Sequence, residues 1–216
     1  MKQIRQRACG NKAGKHVTPE MLGELDWALE FLQLDHPRLL HAHMSDRKLV
    51  IFTDAALEGD DTVGSLGMVA YWAVKGKVTQ SYFFSGTVPC HILESMRGTT
   101  RKVIAGLELL AGVVALHLLK GRHPDGRAFL YVDNEAARAS LIAMNSSIDV
   151  HSRLLRFLCR FAASSSLHLW MCRVPSASNP ADAPSRHEIS HLVSNGFTQL
   201  EIPWHDVSTW LTDARV

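Results

Sequence analysis

The chain has 216 residues, 46% of them hydrophobic and 20% charged, with a formal net charge of +2. That mixture fits one globular domain with appended segments and excludes a disordered or collagen-like chain. No apolar run reads as long and uninterrupted enough to cross a bilayer, and the net charge is too small to specify a nucleic-acid partner. The first fifteen residues hold five Lys or Arg and no acid, but they lead into Gly, Asn and Lys rather than an apolar core, so they do not make a secretory signal. The expected site of action is inside the cell, in cytoplasm or nucleus. Cys9, Cys90, Cys159 and Cys172 are scattered without a Cys-x-x-Cys pair, which argues against a thiolate zinc site and a disulfide framework.

Residues 18–34 carry a helical pattern. Thr18-Pro19-Glu20 supplies a cap, a first-turn Pro and an early acid, Met21, Leu22, Leu25, Trp27, Leu29, Phe31 and Leu32 supply a core-facing side, and His36-Pro37 ends it. Residues 48–55 form an apolar run rich in β-branched and aromatic residues, a buried strand that delivers Asp54 where it leaves the sheet. Strands at 66–74 and 78–84, joined by a tight turn at Lys75-Gly76-Lys77, complete a three-stranded antiparallel meander. Residues 85–98 read as irregular, an insertion near a groove. The longest helix runs over 99–120, with Val103, Ile104, Leu107, Leu110, Ala111, Val114 and Leu118 at helical spacing and Gly121 at its end.

A second buried strand at 127–132 ends in Asp133, followed by Asn134 and a helix over 135–144. Asp149 caps a further helix through 163, and a third apolar strand spans 167–174. Helices alternating with strands indicate a mixed α/β sheet flanked by helices. A loop rich in Pro, Ser and Asn then leads to Asp182, and residues 188–216 read as a short helical tail packed by its aromatics.

Each acid has a structural role open to it. Asp54 can open a turn, Glu108 can sit at the edge of its apolar stripe, and Asp182 can cap a helix. If the strands ending at 54 and 133 are neighbours, however, their ends lie about 5 Å apart. Passing helices can then bring Glu108 and Asp182 to the same place. Like charges at such spacing raise one another's pKa, and divalent cations are the natural compensation. Oxygen-only ligands point to Mg²⁺ or Mn²⁺, whose chemistry in pairs suits phosphodiester hydrolysis.

The segments Phe52-Thr53-Asp54-Ala55, Leu107-Glu108-Leu109-Leu110-Ala111, Tyr131-Val132-Asp133-Asn134 and Val174-Pro175-Ser176 through Asn179-Pro180-Ala181-Asp182-Ala183-Pro184-Ser185-Arg186 together resemble the ribonuclease H domain of retroelement (retrotransposon) reverse transcriptases. The resemblance covers about residues 47–187, leaving 1–46 as a basic segment and lead-in helix similar to a reverse-transcriptase connection, and 188–216 as the tail. It implies an RNase H-like fold with a mixed five-stranded sheet, three antiparallel strands then parallel ones. It further implies two ions, Mg²⁺ or Mn²⁺, held by Asp54, Glu108, Asp133 and Asp182 as catalytic residues, with Asp54 bridging both. The implied substrate is the RNA strand of an RNA/DNA hybrid, and the implied partner is the polymerase part of a reverse transcriptase. Asn134 is a candidate contact to substrate 2′-hydroxyls, its alternative being a helix cap. Arg97, Arg101, Lys102, Arg138 and Arg153 are candidate phosphate contacts or charges on a solvated face.

The sequence departs from the family pattern in one place, since the loop Ser176-Ala177-Ser178 lacks the histidine many members carry before the last acid. A catalytically inactive scaffold that binds nucleic acid or protein is therefore the rival reading. A weaker rival is His187-Glu188-Ile189-Ser190-His191, which matches the zinc-protease pattern His-Glu-x-x-His but has no clear third ligand downstream.

Overall fold

The computed structural model describes residues 18–33, 46–97, 103–123, 125–164 and 166–212. The chain divides into two compact units, one over 1–39 and one from residue 40 on. The first contains helix α1 (Pro19–Gln33), where Thr18 Oγ1 accepts a hydrogen bond from Met21 N at 3.3 Å as a cap. Of its expected core-facing residues, Met21, Leu22, Leu25 and Leu32 are exposed. The stop expected at His36-Pro37 lies outside the described residues, as does Cys9; Cys90, Cys159 and Cys172 form no disulfide.

The second unit is built on β1 (Arg47–Glu58), β2 (Val63–Val74), β3 (Lys77–Thr87), β4 (Asp125–Val132), β5 (Ser166–Arg173) and β6 (Thr198–Gln199). Their spatial order is β5-β4-β1-β2-β3-β6. The pairs β1/β2 and β2/β3 are antiparallel, while β1/β4, β4/β5 and β3/β6 are parallel. This is the expected mixed α/β sheet, antiparallel strands followed by parallel ones, with helices against it. Among the described residues it has six strands rather than five. The added one, β6, is two residues long and pairs with the edge of β3 at Tyr82 and Phe83, too short to leave an alternating pattern in the sequence.

Lys75 and Gly76 both have positive φ, at 51° and 77°, the two-residue turn geometry whose twist matches the strands it joins. The stretch 85–98, expected to be irregular, is instead regular. Strand β3 continues to Thr87, paired with Ser65, and α2 (Cys90–Arg97) follows, burying Ile92, Leu93 and Met96. Pairing with β2 overrides the weak strand signal of Ser85-Gly86-Thr87.

Consecutive residues in β2 and β3 belong to different apolar clusters: Met68, Ala70 and Phe84 to the main core, Val69 and Phe83 to a smaller one with Leu192. Alternation across the pleat therefore buries both faces in this half of the sheet. The main core is organised by α3 (Val103–Lys120), whose buried residues lie nearly all round it. By length and composition α3 could cross a membrane, with a mean hydropathy of 1.9, but 78% of it is buried inside the fold, as a central core helix requires. Helices α4 (Glu135–Ala143) and α5 (Asp149–Ser164) complete this layer.

After β5 the chain makes a 3₁₀ turn (Ser176–Ser178) and two short helices, α6 (Asp182–Ser185) and α7 (Ser190–Ser194). Helix α8 (Trp204–Thr212) then buries Val207, Trp210 and Leu211, and Trp210 stacks on Phe157 of α5 with ring centroids 4.2 Å apart. The tail is packed by its aromatics into the main core, as its sequence suggests.

Candidate metal centre

The register of two strands builds the site. Strands β1 and β4 run parallel, with Phe52 opposite Tyr131, and these two rings stack at 4.8 Å. Two residues further along each strand come Asp54 and Asp133, carried to the same level and, by alternation, to the same face. Strand β4 stops at Val132 and Asp133 leaves the sheet. Asp54 does not stand at a strand end, as its sequence position suggests. Strand β1 continues to Glu58 because β2 still pairs with it, Asp54 opposite Gly67. What ends beside Asp54 is the neighbouring strand, and that leaves space for other groups.

Glu108 fills part of that space from α3. Its Oε1 accepts a hydrogen bond from Ala55 N at 3.2 Å, while Oε2 is buried with no hydrogen-bond partner. Asp54, Glu108 and Asp133 each offer a carboxylate oxygen, and the three oxygens lie within 4.8 Å of one another. Asp54 is 5% exposed and Glu108 3%, whereas Asp133 is partly exposed and forms the open side.

Burial is the largest cause that lifts Asp54 from the usual 3.8 to about 6; the charges of Asp133 and Asp182 add to it, while the Ser185 hydrogen bond and the Arg186 charge oppose it. Glu108 is pushed up to about 9 by burial first and then by the charges of Asp54 and Asp133, against the Ala55 N–H. A site that so disfavours its own ionised forms is matched to a cation. The unpartnered Oε2 and the all-oxygen donor set fit a divalent ion such as Mg²⁺ or Mn²⁺.

Asp182 stands apart from this group of three. It is the first residue of α6, and its half-exposed carboxylate accepts from Arg186 Nε at 3.2 Å. Asn134 is the N-cap of α4, its Oδ1 accepting from Ala136 N at 3.0 Å and Ala137 N at 3.1 Å. Of the candidate phosphate contacts, Arg138 pairs with Glu135 and Arg153 with Asp149, each at 2.6 Å. Arg97 is exposed at the end of α2; Arg101 and Lys102 lie outside the described residues.

The zinc-protease pattern is not formed. His187 has φ 63° and sits in a turn before α7 begins, with Nδ1 2.9 Å from Ser85 Oγ and Nε2 3.3 Å from Thr87 Oγ1. It is tied to β3, so His187 and His191 do not share one helix, as that chemistry requires.

Two residues to which the sequence assigns no role touch Asp54. Asn179 Nδ2 donates to Thr53 O at 3.0 Å and lies 3.5 Å from Asp54 Oδ1; Ser185 Oγ donates to Asp54 Oδ2 at 2.5 Å. Their only sequence signal is membership of the Asn-Pro-Ala-Asp-Ala-Pro-Ser-Arg segment, where Asn and Ser read as turn formers. The approach depends on Gly67, the cross-strand neighbour of Asp54. A Cβ there would collide with Ser185 N and lie 2.6 Å from Ala181 O. Gly67→Ala is accordingly expected to lower stability by about 1–3 kcal/mol through overpacking. Chemical denaturation checks this, and an unchanged midpoint would mean that α6 does not press on β2.

No protein-family model and no curated protein sequence matches the chain. Among solved structures, the N-terminal RNase H domain of a Mycobacterium tuberculosis protein, fused to maltose-binding protein, aligns with a TM-score of 0.47 and 14% identity, covering 69% of this chain and 98% of that one. RNase H1 from the halophilic archaeon Halobacterium salinarum aligns with a TM-score of 0.47 and 18% identity, over 67% and 98% of the two chains. LC11-RNase H1, in complex with an RNA/DNA hybrid, aligns with a TM-score of 0.46 and 13% identity, over 67% and 99%.

Proposed function

We propose that this chain is a divalent-cation-dependent nuclease of the RNase H type that hydrolyses the RNA strand of RNA/DNA hybrids. In this reading it derives from a retroelement, works beside the polymerase part of a reverse transcriptase, and acts in cytoplasm or nucleus. The observation that carries it is the convergence of Asp54, Glu108 and Asp133, with ligand oxygens within 4.8 Å, from a strand, a helix and a strand end. These three would hold the cation, and Asp182 lies near enough to Asp54 to influence its charge. Bound divalent ions, two if the family resemblance holds, would lower the pKa of an attacking water and stabilise charge on the departing 3′ oxygen.

The protein's own groups do the positioning. Ala55 N–H holds one oxygen of Glu108, leaving the other for ligation. Asp133 lines the open side, where a phosphodiester backbone can approach. Asn134 uses its side-chain oxygen to cap α4, so its amide nitrogen is the donor left for a 2′-hydroxyl, the group that distinguishes RNA from DNA. Products carry 5′-phosphate and 3′-hydroxyl ends.

The test is cleavage of a hybrid labelled on its RNA strand, with Mg²⁺ or Mn²⁺ and with EDTA, beside duplex DNA as control. Cation-dependent cutting confined to the hybrid is the expected result. A parent protein inactive with both ions would sink the proposal in favour of a binding scaffold.

A further inference from the structure

We propose that Asn179 and Ser185 are positioning residues that clamp the carboxylate of Asp54 and thereby set the affinity of the acidic cluster for its divalent cation, an inference that rests on the nuclease reading of that cluster. Asp54 receives a donor from this one loop at each of its two oxygens: Ser185 Oγ at Oδ2, 2.5 Å away, and Asn179 Nδ2 toward Oδ1 at 3.5 Å. Asn179 also holds the backbone beneath the side chain, through Thr53 O at 3.0 Å.

The clamp is itself built and buried. Ser185 is fully buried and Asn179 is 6% exposed. Asn179 Oδ1 accepts from Ala181 N at 3.2 Å, and the Ser185 carbonyl accepts from the hydroxyl of Ser65 in β2. Gly67 lets the α6 backbone press against β2 at the level of Asp54.

An aspartate carboxylate turns easily about its last side-chain bond, whose torsional preference is broad. An unheld Asp54 would therefore offer a shared cation many orientations. Donors fixed in a packed loop select one, as outer-shell partners of ligating carboxylates do, and loss of such a partner typically costs 10–100-fold in metal affinity or activity. Asp54 has the most to gain from this, because Glu108 already has Ala55 N–H as its anchor.

The experiment titrates Mg²⁺ and Mn²⁺ calorimetrically into the parent, Ser185→Ala and Ser185→Cys, and follows hybrid cleavage by each across a range of cation concentration. Ser185→Ala is expected to bind the cation about 10–100-fold more weakly, with an intermediate loss in Ser185→Cys. Its cleavage is expected to recover as the cation is raised, which damage to the fold would not allow. Should Ser185→Ala fail to fold, Ser185→Cys decides alone. Parental cation affinity in the folded variants, or a parent that binds neither ion, would overturn the clamp. The two readings separate cleanly: a parent that binds cation more tightly than its Ser185 variants but cuts no hybrid keeps the clamp and loses the nuclease, and equal cutting and binding by all three does the reverse.

Discussion

Asp54→Asn and Glu108→Gln are each expected to reduce hybrid cleavage by about a thousandfold or more, the scale seen when a member of a catalytic unit is removed. Both substitutions keep shape and remove charge. In Asp54→Asn the amide oxygen can still accept from Ser185, so that half of the clamp and the sheet register persist, while the Asn179 side loses its acceptor and the ligand charge is lost. In Glu108→Gln the amide oxygen likewise remains for Ala55 N–H. The control is thermal unfolding without cation, and here the two properties move in opposite directions. A buried carboxyl that must keep its proton loses stability relative to the unfolded chain as pH rises from 4.5 to about 9, so Glu108→Gln should unfold later than the parent at neutral pH and by the full margin above about pH 9. Full activity in either variant would remove the acidic cluster from the reaction.

The second large effect is on stability against pH. Glu108 rises from the usual 4.5 to about 9 on folding and Asp54 from 3.8 to about 6. Between those limits the folded state keeps protons that the unfolded chain has released, so the unfolded state binds fewer protons and unfolding free energy falls as pH rises. The contribution is complete below the unfolded values and gone above the folded ones. Each such group can cost up to about 1.4 kcal/mol per pH unit inside its window. In EDTA the protein is therefore expected to be more stable near pH 5 than near pH 9, judged by denaturant midpoints. Saturating Mg²⁺ should flatten or reverse that slope, because a cation that replaces the protons binds more tightly as they leave. Glu108→Gln in EDTA should lose most of the slope. A parent whose stability in EDTA holds constant or climbs over this range would contradict the burial of Glu108 beside two other acids.

In both effects Glu108 acts from a helix whose meaning was ambiguous in the sequence. The apolar periodicity of α3 is plain, and so is the presence of Glu108 within it. Periodicity cannot say whether such a Glu reaches solvent or is held inside, since that depends on what the helix packs against. Packed on the sheet, Glu108 is 3% exposed and points one oxygen at Ala55 N. The region after β3 shows the opposite limitation. Its Ser, Gly and Pro residues read as a loop, yet pairing with β2 extends β3 to Thr87 and the core draws Ile92, Leu93 and Met96 into α2. Long-range pairing outweighed weak local preference there.

Local signals along the chain were enough to place the main elements and the order of the acids. Runs of β-branched and aromatic residues mark β1, β4 and β5, helical spacing marks α3, and Lys75-Gly76 marks the turn between β2 and β3, because each signal is written in neighbouring residues. Which acids meet, and what holds them, emerged from packing alone. Asp54 and Asp133 are level because β1 and β4 pair in parallel at Phe52 and Tyr131. Asp182 is turned toward Arg186, while Asn179 and Ser185, 125 and 131 residues beyond Asp54, close on its carboxylate. The physical reason is common to all of these. Register and close approach are fixed by contacts distant in sequence, and a glycine such as Gly67 acquires its role only when another segment arrives against it.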